Sequence, residues 1–110
     1  MSHHRPTIST HLLDTAAGTP RAGVTIRLRR PSPDGGAPLV GEGVTDVDGR
    51  ILDLLAGGTL EAGAYRLEFV LSGGTFFTGL ALDFRVDDAA RSYHLPLLLA
   101  PFGLTAYLGS

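Results

Sequence analysis

The 110-residue sequence contains no cysteine, so it forms no disulfide, no thiolate nucleophile and no zinc site with cysteine ligands. It also lacks lysine, asparagine and glutamine, and all nine of its basic residues are arginine. We interpret this composition as a bias of the genome. The formal net charge of -2 gives no electrostatic footprint for nucleic acid or for an anionic membrane. Neither is therefore expected as a partner.

Long hydrophobic runs are absent as well. No stretch approaches the length of a membrane span, and residues 1–6 lack the apolar segment of a signal peptide. We therefore expect a cytoplasmic protein whose residues 1–6 are flexible. The 44% hydrophobic and 18% charged content predicts one globular domain over residues 1–110.

Short apolar alternations, separated by glycine, proline and aspartate turns, cover the whole sequence. In residues 7–14, Ile8, Thr10 and Leu12 point one way and the residues between them, including His11, point the other way. Further strands are predicted over residues 24–29, 39–45, 50–55, 64–71 and 80–86, with turns at 15–20 and 46–49. Apolar residues nowhere keep helical spacing beyond two turns. This pattern predicts an all-β protein, an antiparallel β-sandwich of seven or eight strands.

The last segment, residues 92–110, predicts a strand, a turn at residues 101–103 and a second strand that runs to the carboxyl terminus. Chain termini are usually polar and frayed. Because apolar alternation continues here to the last residues, we interpret this terminus as docked into an active site.

Two histidines, His11 and His94, interrupt otherwise apolar strands, whereas His3 and His4 belong to the amino-terminal tail. A hydrogen-bonded structural role remains the alternative for both strand histidines. The sequence has no Gly-x-Ser-x-Gly elbow and no His-Glu-x-x-His helix. What remains is acid–base chemistry, in which imidazoles that titrate near neutrality and a fixed cation activate water against a reactive amide or lactam.

The candidate cation is Arg50, which follows the turn Asp46-Val47-Asp48-Gly49. A solvated arginine after an ordinary turn is one alternative, and a calcium loop is another, although Asp-x-Asp-Gly alone supplies few ligands. Two imidazoles without a carboxylate or thiolate partner make an incomplete metal site. We therefore expect no metal and no cofactor.

Three segments together resemble the transthyretin-like family, and within it the 5-hydroxyisourate hydrolase branch. They are residues 8–20 (ISTHLLDTAAGTP), 43–50 (GVTDVDGR) and 93–110 (YHLPLLLAPFGLTAYLGS). The first and last segments are specific, while other sandwich modules share the middle turn. The resemblance implies the transthyretin-like sandwich, a homotetramer built as a dimer of dimers, and hydrolytic opening of 5-hydroxyisourate, a small-molecule product of urate oxidation in purine catabolism.

The resemblance also implies the site residues. The implied catalytic residues are His11, His94 and Ser110, and the implied substrate-binding residues are Arg50, Tyr107 and Gly109. By analogy Arg50 polarises the oxygen-rich substrate through its planar guanidinium. The imidazoles orient and deprotonate water and return a proton to the ring nitrogen, and the sequence leaves open which histidine is the base.

Two features depart from the family pattern. Leu108 replaces the arginine of the family's terminal Tyr-Arg-Gly-Ser, and alternation places it on the opposite face from Tyr107 and Gly109. Residues 72–75 replace a longer connection that carries a short helix, so we predict a glycine-rich turn with little or no helix. The leucine keeps two alternatives open, a paralogue with a changed substrate and a non-catalytic transthyretin-like protein that binds a small ligand. A generic structural sandwich module is a third alternative.

Overall fold

A computed structural model describes residues 5–109, which form two β-sheets. Within this range the strands are β1 (Ile8–Asp14), β2 (Thr19–Pro20), β3 (Thr25–Arg29), β4 (Leu39–Val44), β5 (Arg50–Ile51), β6 (Gly63–Val70), β7 (Gly79–Val86), β8 (Tyr93–Leu99) and β9 (Leu104–Ala106). The predicted all-β sandwich is confirmed, and residues 5–109 contain no helix. Accordingly, no membrane-crossing helix exists in the described range. The expectations for His3, His4 and Ser110 lie outside the described residues.

One sheet has the strand order β2-β1-β8-β9, with the short β5 also paired to β1, and the other has the order β4-β3-β6-β7. Every pair of strands is antiparallel except β1 with β8, which run parallel. The alternation of apolar residues did not predict this parallel pair. A repeat of two residues indicates which side chains share a face of a strand, but not whether the neighbouring strand runs parallel or antiparallel. The parallel pair places β1, near the start of the chain, beside β8, near its end.

The strand faces predicted from alternation are confirmed in β1. Ile8, Thr10 and Leu12 are completely buried, while Ser9 and His11 on the opposite face are only half-buried. The buried Thr10 hydroxyl donates to the Leu95 carbonyl oxygen of the neighbouring strand β8, so it adds no unsatisfied polar group to the core. Because a fully buried aliphatic side chain contributes about 1.5–3 kcal/mol, this burial holds β1 in one register. The outer face of β1, which carries Ser9 and His11, therefore remains accessible for a functional site.

The connection between β6 and β7 is the predicted glycine-rich turn without a helix. Gly73 and Gly74 adopt φ of 70° and 73°, which glycine reaches without strain. The Arg21 guanidinium donates to the carbonyl oxygens of Ser72 and Gly73 at 2.9 and 2.6 Å. The fold therefore closes here with a short loop anchored from the β2–β3 connection.

Three predicted element boundaries are wrong. β5 ends at Ile51 and not at residue 55, because the Asp53 carboxylate accepts the backbone N–H groups of Leu55 and Gly57 and turns the chain. Residues 19–20, predicted as part of a turn, pair with the end of β1. The carboxyl-terminal strand β9 ends at Ala106 and does not continue to the terminus.

Asp53 also anchors the chain before β1. Its carboxylate accepts hydrogen bonds from the Thr7 hydroxyl and the Arg5 guanidinium. Burial acts to raise the pKa of Asp53, but the Thr7 hydroxyl, two backbone N–H groups and the Arg5 charge outweigh it, and the net pKa is lowered. Arg5 falls within the range predicted to be flexible, and residues 1–4 lie outside the described range.

Candidate active site

The turn at residues 46–49 places Arg50 beside β1. Oδ1 of Asp46 accepts the backbone N–H groups of Asp48 and Arg50, both at 2.9 Å. Gly49 adopts φ of 75°, and its carbonyl oxygen accepts the N–H of Leu12 at 2.8 Å. The turn is therefore fastened to β1, and Arg50 pairs with His11 in the register of β1 and β5.

The parallel pair β1–β8 positions His94. In its register His94 lies directly opposite Ser9, and the Ser9 Oγ and His94 Nδ1 atoms are 2.8 Å apart. The side chains of both residues lie on the outer face of the sheet, since their neighbours Ile8, Thr10 and Leu95 are buried. The imidazole is thus held at the surface by a defined polar partner.

Gly109 completes this arrangement from the carboxyl-terminal segment. Its N–H donates to the His94 carbonyl oxygen at 2.7 Å, which forms an isolated bridge beyond β9. A Cβ atom at Gly109 would lie 3.0 Å from His94 Cδ2 and 3.1 Å from Pro96 Cγ. Glycine at this position therefore allows the terminus to approach the histidine closely.

The turn before Arg50, the strand pair β1–β8 and the carboxyl-terminal segment border an open basin of about 610 Å³ on the outer face of the first sheet. It is lined by Ser9, Arg50, Leu52, Arg91, Ser92, His94 and Gly109. Of the residues singled out in the sequence, the structure therefore brings together Arg50, His94 and Gly109. We call this site the Arg50–His94 basin.

Sequence reasoning missed three residues of the basin that carry polar groups, Ser9, Arg91 and Ser92. Ser9 is one of the residues predicted on the outer face of β1, and no role is assigned to Arg91 or Ser92 from the sequence. The Arg91 guanidinium carbon lies 4.9 Å from the centre of the Tyr93 ring, a cation–π contact that holds it near the basin. Proximity in sequence to Tyr93-His94 was the one signal available for Arg91.

Two other predicted site residues, His11 and Tyr107, do not line the Arg50–His94 basin. His11 is next to Arg50 but does not line the basin, and its influence on His94 is electrostatic. Tyr107 is half exposed and lines a different hollow. Ser110 lies outside the described residues.

The environment of His94 favours its neutral form. Burial is the main cause that lowers the pKa of the imidazole, and the positive charges of His11 and Arg50 lower it further. A neutral imidazole beside a permanent guanidinium is the combination that general base catalysis with oxyanion stabilisation requires.

Leu108 lines the second hollow, an apolar space of about 240 Å³ between β7 and the end of β9. The sequence predicts Leu108 on the opposite face from both Tyr107 and Gly109, but in the structure Tyr107 lines the same hollow as Leu108, while Gly109 lines the Arg50–His94 basin. The strict alternation fails because β9 ends at Ala106 and the next two residues are irregular. Leu108 therefore lines the second hollow and is not among the residues that line the Arg50–His94 basin.

Metal ligands are not clustered in the described part of the chain. Residues 5–109 hold no group of three or more histidine, aspartate or glutamate side chains placed to bind a metal ion. The aspartate of the calcium-loop alternative, Asp46, instead uses its carboxylate to accept backbone N–H groups of its own turn.

Comparison with known proteins gives a consistent result. Residues 8–109 match the HIUase/Transthyretin family. The 5-hydroxyisourate hydrolase of Deinococcus radiodurans is 38% identical over 121 residues, covering 100% of both chains. The solved 5-hydroxyisourate hydrolase of Klebsiella pneumoniae is 36% identical with a TM-score of 0.75, covering 94% of this chain and 99% of that one. Transthyretin from Sparus aurata is 30% identical with a TM-score of 0.81, covering 96% and 100%.

Proposed function

The chain belongs to the HIUase/transthyretin family, and we propose that it is a 5-hydroxyisourate hydrolase that opens the ring of this small molecule in urate breakdown. Full-length similarity to hydrolases of that name supports the activity. The observation in the structure that carries it is the Arg50–His94 basin, where a neutral imidazole, a guanidinium and the carboxyl-terminal segment meet.

The residues of the basin supply the groups that hydrolysis of a cyclic amide needs. An imidazole takes a proton from water, the water oxygen bonds to the ring carbonyl carbon, and the guanidinium of Arg50 stabilises the developing oxyanion. The carbon–nitrogen bond then breaks, and the imidazolium returns the proton to the ring nitrogen. Water therefore supplies every atom that is added to the substrate.

The alternative is a transthyretin-like protein that binds a small ligand without catalysis. Its support is the similarity to Sparus aurata transthyretin together with Leu108 in place of the family arginine. The hydrogen-bonded imidazole and the guanidinium of Arg50 suit an enzyme better, because they supply the base and the fixed cation that hydrolysis needs and that ligand binding alone does not require.

The test is the decay of freshly generated 5-hydroxyisourate, followed by absorbance, with the purified protein and its Leu108→Arg variant. Both should accelerate decay, and their kcat/KM values should agree within about threefold, because Leu108 lies in the second hollow. Acceleration by the variant alone would indicate a scaffold with a changed substrate. Decay at the buffer rate with both proteins would favour the binding protein.

We also propose that the chain forms a homotetramer, a dimer of dimers. The outer strands β7 and β9 end their sheets, and such edges readily pair with another chain. Phe76 and Phe102 are 70% and 82% exposed, which is unusual for phenylalanine in a monomer. Light scattering should give four times the 11.5 kDa chain mass, and a monomer mass would refute the proposal.

The pH dependence of the reaction follows from the lowered pKa of His94. Its main cause is burial, followed by the charges of His11 and Arg50. Because the neutral imidazole is the active form, activity is full above the folded-state pKa and falls as the pH decreases through it. We expect kcat/KM, measured from about pH 5 to about 9 with spontaneous decay subtracted, to fall on the acid side. The midpoint of this fall should lie below 6.5, the ordinary pKa of histidine. A midpoint at or above that value would contradict the neutral-base interpretation.

A further inference from the structure

Ser9 lines the basin beside His94. It lies on the outer face of β1, between the buried Ile8 and Thr10, and parallel pairing puts it beside His94. Its Oγ atom is 2.8 Å from His94 Nδ1, a normal hydrogen-bond distance. Since both strands are anchored by buried neighbours, this contact is built into the sheet.

The imidazole is confined on both of its edges. Ser9 engages the Nδ1 edge, and Gly109 approaches the Cδ2 edge so closely that a methyl group there would lie 3.0 Å away. With Nδ1 engaged, Nε2 is the nitrogen left to exchange a proton with water or substrate. The ring is thus held in one orientation.

The charges around the basin favour one of the two neutral tautomers. Arg50 and Arg91 both line it, and neither carries an acceptor. Because a positive potential stabilises a lone pair more than an N–H group, Nε2 should present its lone pair to the basin and Nδ1 should carry the hydrogen. The tautomer of a histidine is set by the bond that the other nitrogen makes.

We propose that Ser9 is a positioning residue whose hydroxyl accepts the Nδ1–H of His94, so that the Nε2 lone pair faces the attacking water. Its role in catalysis rests on the proposed function. The Nδ1–H to Oγ bond is the same in the neutral ring and in the imidazolium, so the ring need not turn while Nε2 takes and returns a proton. The opposite polarity, with Ser9 donating, would place the hydrogen on Nε2 and remove the base.

The first test uses the unmutated protein and needs no activity. Nitrogen-15 NMR of the histidine side chains above their pKa, with His94 assigned through its loss in His94→Gln, reports which nitrogen is protonated. We expect a protonated Nδ1 and an unprotonated Nε2. A ring protonated mainly on Nε2, or an even mixture of tautomers, would overturn the inference whether or not the protein is a hydrolase.

The second test separates the hydroxyl from the rest of the side chain. Ser9→Ala should lower kcat by about tenfold with KM within about twofold, because orientation is lost while substrate contacts remain. Ser9→Thr keeps the hydroxyl and should stay within about threefold of the parent. Ser72→Ala removes an exposed hydroxyl from the β6–β7 loop and is the matched control.

Unchanged kcat in Ser9→Ala, or equal losses in Ser9→Ala and Ser9→Thr, would refute the positioning role. A parent protein that fails to accelerate decay would instead refute the proposed function, and the tautomer measurement would still decide the state of His94. Circular dichroism of each variant distinguishes loss of the hydroxyl from loss of the fold.

Discussion

Replacing His94 with alanine is expected to lower kcat/KM for 5-hydroxyisourate by about 10³-fold, within the range found when a general base is removed. The imidazole lines the basin with Arg50, is held by Ser9, and has a lowered pKa that keeps it neutral. Within residues 5–109, the other side chains that line the basin belong to serine, arginine, leucine and glycine, none of which is an ordinary general base. The remaining rate would come from substrate binding and from the guanidinium.

The experiment compares His94→Ala with His11→Ala in the absorbance assay, after circular dichroism has shown that both variants fold. His11 does not line the basin and acts on His94 through its charge, so its removal should cost far less than that of His94. A larger loss in His11→Ala would identify His11 as the base. A His94→Ala variant within about tenfold of the parent would exclude His94 from that role.

Replacing Gly49 with alanine is expected to lower the free energy of unfolding by about 3 kcal/mol, a large part of the stability of a small domain. Gly49 has φ of 75°, which an alanine adopts only with strain. A Cβ atom there would also lie 2.4 Å from the Leu12 carbonyl oxygen, so the turn and β1 would have to separate. Because Arg50 follows directly, activity should fall together with stability.

Gly18→Ala is the matched control for this variant, measured by urea unfolding monitored by circular dichroism. Gly18 has nearly the same φ, 72°, but nothing lies within 4 Å of a Cβ built on it. Its replacement should lower the free energy of unfolding by only about 1 kcal/mol, the cost of holding an alanine at positive φ. Equal losses in the two variants would mean that the contact with β1 contributes nothing.

Local chemistry made much of this fold predictable. The alternation around Ile8, Thr10 and Leu12 identified the buried face of β1 and left His11 on the outer one, because burial of every second residue is encoded within a single strand. The glycines of residues 72–75 likewise predicted the break between β6 and β7, whereas the absence of a helix there was inferred from the family resemblance. Such features need no information from distant parts of the chain.

Features that depend on distant partners were not predictable in this way. The parallel pairing of β1 with β8 arises from packing of the whole sandwich, and it alone places Ser9 beside His94. Alternation could not show that Tyr107 leaves the strand geometry after β9. The resemblance supplied His94, Arg50 and Gly109 by their positions, whereas placing Ser9 beside His94 required the register of the sheet.

The pairing of β1 with β8 also has a consequence for the order of folding. Ser9 and His94 are 85 residues apart in sequence, so their contact closes a loop that spans most of the chain. Contacts of such high contact order form late and slowly, because the chain entropy is lost before the contact stabilises anything. On the ribosome, β8 and Gly109 emerge after nearly all other strands. The Arg50–His94 basin is therefore assembled only after Gly109 has been synthesised, and a chain that stops before this residue lacks part of the basin.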